Sequence, residues 1–144
     1  MSSILKLIRK WQILDSPSLG ESMVMADLMI KDKSYAFAVR VIRCYQHLQD
    51  NKKEFVLSKQ FLRSGTSIGA NVREAQQAQS RKDFVSKMSI ALKEASETQY
   101  WLDLLMDTGY LEREKCRKLY NECDEICKML TSIIKTTRKS IVDT

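Results

Sequence analysis

Leu62-Arg63-Ser64-Gly65-Thr66-Ser67-Ile68-Gly69-Ala70-Asn71-Val72-Arg73-Glu74-Ala75 is the stretch that decides the fold. Its Ser, Thr, Gly and Asn content suits a loop, but its period is that of a helix. Leu57, Phe61, Gly65, Ile68, Val72 and Ala75 recur at steps of four and three, which keeps them on one helical face. Glycine inside a helix costs about 1 kcal/mol against alanine. Two glycines one turn apart therefore mark a place where a neighbouring helix comes close to the backbone. If both face such a neighbour, Gly69→Leu overpacks the contact; if Gly69 is open, Gly69→Ala stabilises the helix.

Working outward, the same period recurs on both sides. Phe37, Val41, Cys44 and Leu48 form a stripe before the polar link Gln49-Asp50-Asn51-Lys52-Lys53, and Asn51 with Glu54 resembles a capping pair. Ser80 followed by Asp83 has the same form. Behind it lies the longest seam, Phe84, Met88, Ala91, Ala95, Thr98, Leu102 and Leu105. Gly109 suits the left-handed residue that closes a helix. Cys116, Leu119, Cys123, Ile126, Leu130 and Ile133 make a fourth stripe, ended by Lys135, Arg138 and Lys139. No segment alternates with period two. The pattern predicts helices near 33–49, 53–78, 81–107 and 112–138, joined by short links that set sequential neighbours antiparallel. The expected fold is all-α, an antiparallel up-down four-helix bundle over residues 31–144.

Residues 1–30 read as an N-terminal extension. An amphipathic stretch reaches Trp11, and Asp15-Ser16-Pro17-Ser18-Leu19-Gly20 then argues against one continuous helix. This segment is either loosely ordered or a partner-docking helix. Lys6, Arg9 and Lys10 interrupt its apolar residues, so it lacks a signal-peptide core. No run approaches the ~20 apolar residues that cross a bilayer, and a cytoplasmic location is expected.

With 144 residues, 44% of them apolar and a formal charge of +6, the chain suits one moderately basic domain. The hairpin over residues 35–79 holds seven basic and three acidic residues. Its Arg40, Arg43, Lys59, Arg63 and Arg73 are the candidate contacts to nucleic-acid phosphates, unless they form an ordinary solvated face. Arg63 and Arg73 have a further alternative, pairing with Glu94, Glu97 or Glu74 across the bundle edge. Ser64, Ser67, Asn71 and Glu74 form a polar set beside Gly65 and Gly69, either a hydrogen-bonded layer or a solvated strip.

Catalytic and metal chemistry find little support. His47 is the single histidine, which leaves no nucleophile–base pair to defend. Glu74, Glu94 and Glu97 lack the Glu-x-x-His pairs of a di-iron bundle. Cys116, Cys123 and Cys127 step by seven and four, as buried thiols in a seam do. No enzyme activity, metal or cofactor is expected.

Several blocks carry a resemblance: Ser34-Tyr35-Ala36-Phe37-Ala38, Glu54-Phe55-Val56-Leu57-Ser58-Lys59-Gln60, Arg63 through Asn71, Lys82-Asp83-Phe84, Ser89 through Ala95, Glu97 through Leu102, and Thr108-Gly109-Tyr110. In order and spacing they resemble the four-helix-bundle family named after 23S rRNA intervening sequences, over roughly residues 31–135. The resemblance implies a bacterial protein whose antiparallel bundles assemble into a homopentameric ring. More distantly, it is similar to the accessory proteins of diversity-generating retroelements. That likeness implies RNA, DNA or a reverse transcriptase as partner and brings no catalytic residues. The alternative is a protein-binding or structural ring without nucleic-acid contact. Trp101, Tyr100, Leu104 and Leu105 are the apolar residues expected to exceed what one core uses.

Overall fold

The computed structural model describes residues 17–142, and these fold into four helices: α1 (Pro17–Asp50), α2 (Leu57–Ala75), α3 (Arg81–Asp107) and α4 (Arg113–Val142). No strand occurs among the described residues. The stripes read from the sequence point inward. Phe37, Val41 and Leu48 of α1 meet Phe61, Ile68 and Val72 of α2 in one core. Ala91, Ala95 and Leu102 of α3 and Cys123, Ile126 and Leu130 of α4 complete it, all at most 2% exposed. Cys44 and Leu57 are only half-buried.

Paired residues fix how the helices run. Gly65 lies against Val41 and Gly69 against Ser34. Arg63 pairs with Glu94 and Glu97, while Glu74 pairs with Lys87. Cys116 donates to the Leu102 carbonyl, Cys123 to that of Ala95, and Arg81 to that of Ser140. Lys33 reaches Glu125, and Arg40 reaches Glu122. In every pair of neighbours the numbers rise on one helix as they fall on the other, so sequential helices are antiparallel and α1 also packs on α4.

The two glycines serve the α1–α2 contact. A Cβ on Gly65 would stand 2.8 Å from both γ-methyls of Val41, whereas one on Gly69 would lie 3.4 Å from the Ser34 carbonyl oxygen. Both face a neighbouring helix, but only Gly65 lacks room for a methyl.

Helix ends follow local chemistry, with two corrections to the expected boundaries. The first helix begins at Pro17 rather than near residue 33, and runs through the boundary expected at residue 30. Pro17 lacks an N–H that a first-turn residue has no use for, and Gly20 lies within the helix. The stretch around Trp11 lies outside the described residues. The second helix spans 57–75 rather than 53–78. Lys53 adopts a left-handed φ of 53° while the Glu54 N–H closes back on the Leu48 carbonyl, which ends α1. Asn51 makes no cap for α2. Instead the Glu54 carboxylate accepts from the N–H groups of Val56, Leu57 and Ser58 at 2.7–3.1 Å. Ser80 caps α3 as expected, accepting from the Asp83 N–H, and Gly109 at φ 82° follows its end.

Candidate nucleic-acid interface

The five candidate cations divide by partner. Arg63, on the outer side of α2, reaches across to α3, with its Nη1 3.2 Å from Glu94 and its Nη2 on Glu97. Desolvation works against its charge, but these two acids outweigh it and raise its pKa. Arg40 is held by Glu122 of α4 at 3.0 Å. Arg43, Lys59 and Arg73 are exposed and form no ion pair among the described residues. Arg73 edges a groove of about 370 Å³ between α1 and α2, floored by Ala38, Gly69 and Ala70 with Tyr35 at its rim.

The polar set splits as well. Ser64 is fully buried and accepts from the Thr98 hydroxyl at 2.9 Å, giving the α2–α3 contact a polar link. Ser67 and Asn71 are half-buried and spend their side chains on carbonyls of their own helix, Arg63 and Ser67. Glu74 is exposed and pairs with Lys87 at 3.2 Å.

A second groove, of about 400 Å³, lies between α1 and α4 and was missed in the sequence. Arg40, Arg43 and His47 line it from α1, Lys115, Lys118 and Glu122 from α4, over Cys44, Leu111 and Leu119. Lys115 and Lys118 are exposed and without an ion pair among the described residues. The available signal was their place beside the inward Cys116 and Leu119, joined to the fact that the first and last helices of a closed bundle adjoin. Cationic side chains that edge a cleft focus positive potential within it.

Three of the four thiols are quiet. All four cysteines are free. Burial pushes the Cys44 thiol up to about 11, reinforced by Cys116 and opposed by Lys115, and burial raises Cys116 likewise to about 11. Cys123 is raised by its bond with Cys127 and by burial. These three stay protonated at neutral pH and pack as small apolar groups. No group of His, Cys, Asp and Glu that could hold a metal occurs among the described residues. None of their helices is long and apolar enough to cross a membrane.

The fold and these surfaces define a basic four-helix bundle whose Arg43, Lys59, Arg73, Lys115 and Lys118 form no ion pair among the described residues. A family model for the 23S rRNA-intervening sequence protein matches residues 26–132. The chain belongs to that family. It is similar to a solved structure described as a protein with unknown function from the S23 ribosomal protein family of Bacteroides thetaiotaomicron VPI-5482. The two share 59% identity and a TM-score of 0.76, over 76% of this chain and 98% of the other. No curated protein matches the chain.

Proposed function

We propose that the chain is a non-enzymatic, homo-oligomeric accessory protein of the cytoplasm that associates with RNA or DNA, alone or with a reverse transcriptase. The observation that carries this reading is the set of exposed cations, Arg43, Lys59 and Arg73, that no acid neutralises among the described residues. Phosphate contacts need charge that is free to trade counterions, and salt-bridged Arg40 and Arg63 are poorer donors of it. Assembly into the pentameric ring that the family resemblance implies repeats those cations on one object.

Native electrophoresis at low salt tests the reading. The intact oligomer should retard both RNA and DNA with little sequence preference, and added salt should release them steeply. Arg43→Gln should weaken the shift while leaving the bundle folded. Absence of any shift by the intact oligomer would transfer the case to a protein-binding ring, which the exposed Tyr35, Ile42 and Tyr100 favour.

A further inference from the structure

Acids and bases are matched along one half of the α1–α4 seam and unmatched along the other. Lys33 meets Glu125 at 2.5 Å and Arg40 meets Glu122 at 3.0 Å, so each α1 cation there has an α4 acid opposite it. One and two turns toward the start of α4 the residues that line the groove are no longer acids. Lys118 and Lys115 take their places, and across the groove stand Arg43 and His47. The groove's single acid, Glu122, is already engaged by Arg40. Three positive charges thus gather around a concave site, none of them in an ion pair among the described residues, and like charges so placed repel one another until an anion arrives.

The floor narrows the class of anion. Leu111 and Leu119 are buried and Cys44 is half-buried, so the bottom of the groove is apolar while its rim is cationic. Its volume of about 400 Å³ falls within the range of ligand clefts. The bases of a duplex are paired and stacked between its two backbones. A duplex therefore cannot lay its base faces on an apolar floor. One unpaired strand can, with its phosphates on the cationic rim and base or sugar faces on the floor. Lys115 and Lys118, three residues apart on one helical face, line one bank, and Arg43 lies on the other.

We infer that the α1–α4 groove edged by Arg43, Lys115 and Lys118 seats a segment of single-stranded nucleic acid. This rests on the nucleic-acid reading above and moves its principal contacts from α2 to α1 and α4.

Fluorescence anisotropy with the full-length chain and labelled oligouridine, oligothymidine and a duplex of equal length tests the inference. The wild type should bind both single strands more tightly than the duplex, and the ratio of the two single-strand affinities assigns the preferred sugar. Lys115→Gln with Lys118→Gln should weaken single-strand binding about tenfold or more and flatten the slope of log affinity against log salt by about 1.4. Lys59→Gln with Arg73→Gln should do less. Unchanged affinity in the Lys115/Lys118 variant, or tighter binding of the duplex by the wild type, would overturn the groove while leaving nucleic-acid association standing. Failure of the wild type to bind any of the three probes would overturn both. All four substituted lysine and arginine side chains are exposed, so circular dichroism should report an unchanged fold in each variant.

Discussion

One methyl group separates Gly65 from alanine, and α1 leaves no space for it. The added Cβ would stand 2.8 Å from both γ-carbons of Val41, and a β-branched side chain in a helix has almost no other rotamer to retreat to. Gly65→Ala should therefore destabilise the bundle by about 1–3 kcal/mol despite alanine's better helix propensity. At Gly69 the new methyl meets the Ser34 carbonyl at 3.4 Å, an ordinary contact. There propensity wins, and Gly69→Ala should stabilise by up to about 1 kcal/mol. Denaturant midpoints of the two variants should move in opposite directions, and Val41→Ala should recover part of the Gly65→Ala loss. The sequence marks both glycines as helix-packing positions, because they stand one turn apart within a helix that gains nothing from glycine unless a neighbour comes close. What it cannot rank is the space at each, which depends on whether Val41 or Ser34 stands opposite. Arg63 has the same limit: its charge is legible alone, but its capture by Glu94 and Glu97 needs the register between α2 and α3.

At the scale of elements, two carboxyls shift in opposite senses, Glu54 just before α2 and Asp27 near the start of α1. Burial alone would raise the Glu54 carboxyl, but the backbone donors of Ser58, Leu57 and Val56, with the Ser58 hydroxyl, outweigh it and lower its pKa. A carboxyl with a depressed folded-state pKa stabilises above its unfolded value, here 4.5, and loses that contribution as pH falls through the folded value. Glu54→Gln should cost about 1 kcal/mol at neutral pH, the scale of a lost cap, and progressively less in acid. Asp27, near the start of α1, behaves the other way. It borders a cavity of about 110 Å³ lined by Ser22, Met23, Ala26, Phe84, Ser132, Ile133 and Thr136, none of them charged. Burial raises its carboxyl from 3.8 to about 7. The folded chain then keeps a proton that the unfolded chain releases, so stability declines as pH climbs from 3.8 to about 7. Thermal unfolding of Asp27→Asn should show a gain at pH 8 and almost none at pH 4. The first thirteen residues of α1 beyond Pro17 escape the pattern reading for a related reason. Ala26 packs beside Phe84 and Ile133 from the ends of α3 and α4, contacts too distant in sequence to print a local stripe. The cationic groove is hidden by the same kind of distance, because the α1 and α4 sides that form it are far apart in the chain.

Across the whole molecule, the apolar surface left over differs from the expected set. Leu105 is fully buried and Trp101 packs against the core, so both serve the chain's own interior. Tyr100, 56% exposed, remains outside with Ile90 on α3, while Tyr35 and Ile42, 64% and 41% exposed, stand seven residues apart on α1. α1 and α3 are diagonal in the bundle, since each packs on both α2 and α4. An isologous dimer buries one patch against its own copy, whereas a closed ring joins two different patches head to tail. Exposed apolar side chains on diagonal helices fit the second arrangement and accord with the ring of five that the resemblance implies. Light scattering at micromolar concentration should then return about five times the 16.7 kDa chain mass. Tyr35→Glu with Ile42→Glu should dissociate the ring, and Tyr100→Glu alone should do so too, because each replaces one half of every junction. Assembly lost in the first variant but intact in the second would indicate an isologous dimer through α1. A monomer mass for the wild type would reject self-association, and each cationic groove would then act as a single weak site.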